Sequence, residues 1–343
     1  MQTPDIHVLA AGTALPGPAL DNAALAARFG LNLAWQQWVD TFIGTDTRHL
    51  SIDLETGAQR YTLADLGEQA AERALAEAGL EPEDVDLVVM GTSSPDQLMP
   101  ATANVIADRL GIDGVSIYQL QSGCTGAVQS LDIAERLLST GRHRTALVLG
   151  GDVSAKHYSV QIDVAKMDPG QMVNGVLFGD GAGACVLSAE PRPGAPVLRH
   201  VRVRAVGLGR KPGQVVDYSG MAGPRGEQPL VVEDYKAIEE SVPRMAAEML
   251  HEVLGELGWK PGEVDYLLPP QLSGRMTALI AERLALPDAE ELTCVRETGN
   301  TGNALPFFQL EMLLPRIKDG QRAVGVAIES SKWIKAGFAL ESA

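Results

Sequence analysis

Short runs of aliphatic and β-branched residues punctuate the chain: LVVMG (87–91), TALVLGG (145–151), GACVLS (183–188) and AVGVAI (323–328). Each is too brief for a helix and apolar throughout, the pattern of a strand buried on both faces. Between them lie longer stretches such as LADLGEQAAERALAEAG (63–79), whose apolar residues recur every three or four positions, as in an amphipathic helix. Parallel strands covered by helices on both sides follow from this alternation.

The pattern also occurs twice. AEAGLEPEDVDLVVMGTSSP (76–95) and GELGWKPGEVDYLLPPQLSG (255–274) share a helix end, a turn and a strand, with Gly79, Pro82, Val85 and Asp86 matching Gly258, Pro261, Val264 and Asp265. Further on, GCTGAV (123–128) and GNTGNA (299–304) each open a helical stretch that leads to an apolar strand. Two copies of one α/β unit in tandem predict a five-layer α/β/α/β/α sandwich. The Pro-rich connection SAEPRPGAPV (188–197) marks the seam, so the halves are expected over residues 1–190 and 191–343.

Composition narrows the function. With 45% hydrophobic and 21% charged residues in a chain of 343, a sizeable core is expected. A formal charge of −16, with no long basic tract, argues against nucleic acid and anionic lipid as partners. No basic leader with an apolar core and no membrane-length apolar run is visible, which predicts a cytoplasmic protein. Cys124, Cys185 and Cys294 are too scattered for a disulfide framework or a metal knuckle, and no metal is expected.

One cysteine has a chemical setting. In LQSGCTGAVQSLDIAERLL (120–138) an extended stretch runs through Ser122 and Gly123 into Cys124, and helical periodicity begins just after it at Val128 and Leu131. A helix N-terminus offers unpaired N–H groups and a positive dipole end, so Cys124 is expected to form a thiolate readily and to act as a nucleophile. Cys185 and Cys294 lack such a setting and read as packing residues.

Four segments now carry a family resemblance: TSSPDQLMPATANVIADRLG (92–111), the GCTG turn, LFGDGAGACVL (177–187) and TGNTGNALP (298–306). In order and spacing they resemble the β-ketoacyl-[acyl-carrier-protein] synthase III family. The resemblance implies a duplicated thiolase-like fold and a homodimer. It also implies a Cys–His–Asn site at the end of a pantetheine tunnel, and an acyl group delivered as a phosphopantetheine thioester by an acyl carrier protein or coenzyme A, with no bound cofactor. Cys124 takes the nucleophile's place and Asn300 that of the asparagine. Trp38, Phe178, Ser273 and Arg275 fall on the pantetheine path, and the backbone of Cys124, Glu329 and Ser330 falls on the oxyanion hole.

The departures matter as much. The family's P-H-Q-A-N-x-R segment reads Pro269-Pro270-Gln271-Leu272-Ser273-Gly274-Arg275, so Pro270 occupies the histidine position. Proline brings no side-chain donor and no N–H, and losing one donor to a developing oxyanion costs about 100- to 1000-fold in rate. Ordinary decarboxylative condensation is therefore not expected. Two entrance arginines of the family fall on Phe42 and Met172, which weakens the case for free coenzyme A as donor. Glu329 in the oxyanion loop and His157 after the nucleophile's strand are candidate replacement bases, each also readable as an ordinary surface or paired group. Arg199, Arg202, Arg204, Arg210 and Lys211 are a candidate landing site for an acidic carrier protein, or merely an exposed charged strand.

Three functions follow. The favoured one is acyl transfer through Cys124 to an oxygen or nitrogen of a small molecule, in polyketide or other natural-product biosynthesis. The alternatives are carbon–carbon bond formation by a Claisen-type condensing enzyme, and a non-catalytic partner of a ketosynthase heterodimer.

Overall fold

A computed structural model describes residues 4–157, 169–216 and 231–342. Ten strands form its main sheet: β1 (His7–Ala14), β2 (Leu87–Thr92), β3 (Ser116–Gln121), β4 (Thr145–Asp152), β5 (Gly181–Ser188), β6 (Val197–Ala205), β7 (Tyr266–Leu268), β8 (Glu290–Glu291), β9 (Arg322–Glu329) and β10 (Ile334–Glu341). Their spatial order is β8-β7-β9-β10-β6-β1-β5-β4-β2-β3. Each strand of the first five occupies the mirrored place of its counterpart in the second five. The directions repeat too: β2 is parallel to both β3 and β4, and β7 to both β8 and β9, whereas β5 and β10 run antiparallel to their neighbours. The halves meet edge to edge where His7 lies opposite Val197.

Six helices matter for the site: α1 (Leu63–Ala78), α2 (Thr102–Leu110), α3 (Gly126–Ser139), α4 (Tyr235–Leu257), α5 (Gly274–Leu284) and α6 (Leu305–Leu313). The period of two along each strand sorts side chains into layers. Val88 and Met90 pack with Leu66, Ala70 and Ile106 of α1 and α2, while Leu87 and Val89 turn the other way onto Val128 and Leu131 of α3. In the second half Val324 and Val326 join Met249 and Ile280 of α4 and α5, and Ala323 and Ala327 face the layer of Phe307 and Leu310 of α6. Helices α3 and α6 thus share the middle layer between two five-stranded halves. This is the expected five-layer sandwich.

The repeated turn forms as the matched residues require. Gly79 and Gly258 close α1 and α4 in the left-handed conformation, φ 63° and 68°, and Pro82 and Pro261 each start a 3₁₀ turn. Asp86 then accepts from Thr145 N–H at 3.1 Å, and Asp265 accepts from Arg322 N–H at 2.8 Å. Each aspartate ties its own strand to the next one in the sheet.

The middle layer is held close by glycine. A Cβ on Gly183 would stand 2.4 Å from Phe307, and one on Gly150 would stand 2.6 Å from the same ring. The Phe307 ring fills the hollows those two strand positions leave, and it is fully buried. We expect Phe307→Ala to lower stability by about 3–5 kcal/mol, the cost of an aromatic deletion from a core that cannot collapse. Urea denaturation followed by circular dichroism measures this, and a loss below about 1 kcal/mol would show that the layer adapts.

Candidate active site

Strand β3 ends at Gln121, the chain turns through Ser122 and Gly123, and α3 begins at Gly126. Thr125, the residue before α3, does not cap it. The cap comes from the sister turn: Asn303 Oδ1 accepts from Ala127 N–H at 3.0 Å, and Asn303 Nδ2 donates to Ser122 O at 3.2 Å and to Asp152 Oδ2 at 2.9 Å. Asp152, at the end of β4, also accepts from Asn303 N–H at 2.9 Å. Its other oxygen accepts from Thr92 Oγ1, Ser93 N–H, Ser93 Oγ and Ser94 Oγ at 2.7–3.2 Å. Asp152 is buried and saturated with donors, and through Asn303 it bolts one duplicated turn to the other.

A second carboxylate lies under the nucleophile. Glu329 Oε2 accepts from Ser122 Oγ at 2.9 Å and Thr125 Oγ1 at 2.7 Å, and Ser331 Oγ donates to Oε1. Gln129 Nε2 donates to both the Ser122 and the Thr125 hydroxyl, at 2.7 and 2.9 Å, so each hydroxyl hydrogen is committed to Glu329. A Cβ on Gly123 would lie 2.9 Å from the Glu329 carboxyl carbon, so only glycine lets the carboxylate press against the turn.

These charges reverse one expectation. Burial first, then the Coulomb field of Glu329 and Asp152, pushes the Cys124 thiol up to about 12. The helix N-terminus does not hold a resting thiolate here; Cys124 is a thiol at neutral pH.

Cys124 and Asn300 line one cavity, together with Pro270, Leu305, Gln309 and Ile328. Asn300 Oδ1 accepts from Gly302 N–H at 3.0 Å, which fixes the amide and leaves its NH₂ as the donor for a ligand. Pro270 contributes to the same wall and brings no side-chain donor to it. Gln309 Nε2 holds the proline loop from behind by donating to Pro269 O at 3.0 Å and Leu292 O at 2.9 Å.

The remaining expected residues are spread more widely. Ser273 caps α5 by accepting from Met276 N–H at 3.1 Å, and Arg275 places its guanidinium 5.6 Å from the exposed Phe42 ring. Trp38 packs beside Val39, Ile43 and Val176, and Phe178 pairs through its backbone with Asn300. Ser330 O accepts from Gly213 N–H at 3.0 Å. His157 is exposed on a 3₁₀ turn and is not among the cavity residues. Cys185 is fully buried in β5, and Cys294 lies against Gln271, which fits their reading as packing residues.

Three residues of the basic cluster are engaged internally. Arg199 pairs with Glu341 and Arg202 with Glu252, at 2.9 and 3.1 Å, and Arg210 stacks on Trp333. Sequence reasoning missed Asp152, Asn303 and Gln129. Asn303 left a signal, a polar residue where the sister turn has Ala127.

Known proteins can now be set beside this geometry. Residues 118–204 match the family described as 3-oxoacyl-[acyl-carrier-protein] synthase III, and residues 254–330 match its C-terminal domain. A β-ketoacyl-[acyl-carrier-protein] synthase III from Neisseria gonorrhoeae is 29% identical over 298 residues, 85% of each chain. The structure described as AbyA1, a tetronic acid condensing enzyme, is 60% identical with a TM-score of 0.96, covering 98% of this chain and 100% of that one. The chain belongs to the synthase III-like family of the thiolase superfamily. The synthase III structure from Pseudomonas aeruginosa agrees, at 28% identity and a TM-score of 0.83 over 98% of both chains. Among these synthase III-like proteins, then, this one keeps a cysteine and an asparagine in its cavity and sets Pro270 beside them.

The raised thiol is open to test. Because Glu329 disfavours the thiolate, Glu329→Gln should lower the Cys124 pKa and quicken its alkylation by iodoacetamide at pH 8 by up to about tenfold, one pKa unit being a factor of ten in thiolate. Burial, the larger cause, remains, so the rate should still climb with pH through the alkaline range. Peptide mapping checks the site, and slower alkylation of the variant at pH 8 would contradict the electrostatic account.

Proposed function

We propose that this protein is a thioester-dependent condensing acyltransferase that loads a 2-hydroxyacyl group on Cys124 and joins it to a β-ketoacyl thioester, closing a tetronic acid ring. The observation that carries the reading is Pro270 in the wall of the Cys124–Asn300 cavity. A malonyl donor needs its enolate stabilised while carbon dioxide leaves, and this wall offers a proline where a donor would stand. A β-ketoacyl thioester needs no decarboxylation, because the carbon between its two carbonyls is already acidic.

The 60% identical tetronic acid condensing enzyme supports the same choice of acceptor. A tetronic acid is a five-membered lactone that contains an enolised 1,3-dicarbonyl. Disconnecting it at the lactone oxygen and at the dicarbonyl carbon gives a 2-hydroxyacyl and a β-ketoacyl thioester. Two bonds form: the acidic carbon attacks the acyl carbonyl on Cys124, and the 2-hydroxyl then attacks the acceptor's thioester. Two thiols leave, one of them Cys124, and the atoms balance. Acyl transfer to oxygen and carbon–carbon bond formation, separate alternatives on sequence, become successive steps.

The chain's own groups have plain tasks in this scheme. Asn300 NH₂ donates to a carbonyl oxygen held in the cavity, and Glu329, its oxygens taken up by hydroxyls, holds the nucleophile turn rather than acting as a mobile base. The cavity is small, about 30 Å³, and lined mostly by apolar residues such as Leu272, Leu305 and Ile328, which suits a short acyl group. Acyl groups would arrive on a carrier protein or coenzyme A, in a cytoplasmic homodimer whose halves divide near residue 190.

Intact-protein mass spectrometry tests the loading step. Incubation with 2-hydroxypropionyl carrier protein should add one acyl mass, mapping to the Cys124 peptide and absent from Cys124→Ala. Labelled malonyl carrier protein should release carbon dioxide at least about 100-fold more slowly than with a histidine-containing synthase III. Malonyl turnover at the ordinary rate, or acylation that persists in Cys124→Ala, would overturn the proposal.

A further inference from the structure

Helix α6 opens on LPFFQL (305–310), a run buried throughout, in which Gln309 is the polar residue. It stands one turn beyond Leu305 on the same helix face, and both line the Cys124 cavity. A carboxamide in such surroundings needs partners for its NH₂ and for its oxygen, since the water it gave up is not replaced. The protein meets half of that need. Gln309 Nε2 donates to Pro269 O at 3.0 Å and to Leu292 O at 2.9 Å. Two carbonyls can be satisfied only by an NH₂, so the orientation of the amide is set. Oε1 receives no hydrogen bond from any described residue, yet it is not one of the chain's sealed unpaired oxygens, so it keeps accessible surface. Gln309 is only 3% exposed and lines the cavity, and that surface therefore opens into the cavity.

The other two carboxamides of the wall are committed differently. Gln271 Oε1 accepts from Cys294 N–H at 2.6 Å and Val295 N–H at 2.9 Å, and its Nε2 lies 3.7 Å from Cys294 Sγ. Asn300 Oδ1 is held by Gly302 N–H, which leaves an NH₂ to donate. Around them the wall is aliphatic or prolyl, as at Pro270, Leu272 and Ile328. Asn300 thus offers an amide donor and Gln309 an amide acceptor in one small space with the Cys124 thiol. A 2-hydroxyacyl group presents the complement: a carbonyl oxygen that accepts and, on the adjacent carbon, a hydroxyl that donates.

We propose that Gln309 selects a 2-hydroxyacyl group, its Oε1 accepting the hydrogen bond of the hydroxyl while the Asn300 amide donates to the acyl carbonyl. The inference rests on the acyl-transfer function proposed above. An acyl group without the hydroxyl would press carbon against Oε1 and leave that oxygen dehydrated and unpaired, and a site built to pair a substrate hydroxyl rejects the analogue that lacks it. The choice is also one of hand. With the carbonyl pinned by Asn300, one enantiomer directs its hydroxyl at Gln309 and the other directs it at the aliphatic wall.

Rapid-quench mass spectrometry on the full-length protein tests the assignment. Wild type and Gln309→Met are mixed with carrier protein bearing (R)-2-hydroxypropionyl, (S)-2-hydroxypropionyl or propionyl, and the rate of Cys124 acylation is read for each. The two enantiomers have the same intrinsic reactivity, so any difference between them comes from the site. We expect wild type to accept one enantiomer at least about tenfold faster than the other and than propionyl, and Gln309→Met to bring both ratios within about threefold. Loss of the bonds to Pro269 and Leu292 alone would slow all three donors alike and leave the ratios unchanged; that result would overturn the role of Gln309. If Gln309→Met does not fold, the wild type decides: enantiomer rates within about threefold of each other would overturn the selection, because a fixed acceptor discriminates by more. Failure of the wild type to load from any of the three would overturn the acyl-transfer function as well.

Discussion

The clasp between Asp152 and Asn303 is the contact on which the site depends. Asn303 uses its amide three ways: it caps α3 at Ala127, holds Ser122 O, and binds the buried carboxylate at the end of β4. A side chain from the second half thereby starts the helix that presents the nucleophile of the first. Without it, α3 would begin with an unsatisfied N–H in the middle layer, where no water can replace the bond. The duplicated fold is what brings the two turns face to face, and the clasp turns that symmetry into one asymmetric site. Cys124 stands at one turn and Asn300 at the equivalent place in the other.

A thiol surrounded by carboxylates is an unusual way to arm a nucleophile. Burial opposes the thiolate most, and Glu329 and Asp152 oppose it further. Such a cysteine reacts poorly with water-borne electrophiles; in the transfer we propose, it would exchange with a thioester whose leaving sulfur takes the proton. Selectivity comes at the cost of general reactivity.

How much of this was legible in the sequence depends on the range of the interaction. The repeat of Gly79, Pro82, Val85 and Asp86 at Gly258, Pro261, Val264 and Asp265 encodes local geometry, left-handed caps and 3₁₀ turns, and so the duplicated fold could be read directly. Cys124 and Asn300 were legible because each sits in a small-residue turn of the same form. The charge state of Cys124 was not, since it depends first on burial and then on Glu329, more than two hundred residues away in sequence, folding back against Gly123. The helix N-terminus was seen correctly and its electrostatic effect was outweighed. Asp152 looked like the end of an ordinary strand.

Pro270 shows why a missing residue can be as informative as a present one. Under the family resemblance a histidine is expected where Pro270 stands; proline brings no donor and stiffens the loop, and Gln309 holds Pro269 and Leu292 in place from behind. A site that had merely lost its function would have no reason to keep Cys124 and Asn300 in one cavity, with Asn300's amide fixed by Gly302 and its NH₂ free to donate. In the condensation we propose, the combination fits a change of acceptor: a carbon acid that ionises without decarboxylation needs no donor at Pro270, while one carbonyl-binding donor, the Asn300 amide, is still required.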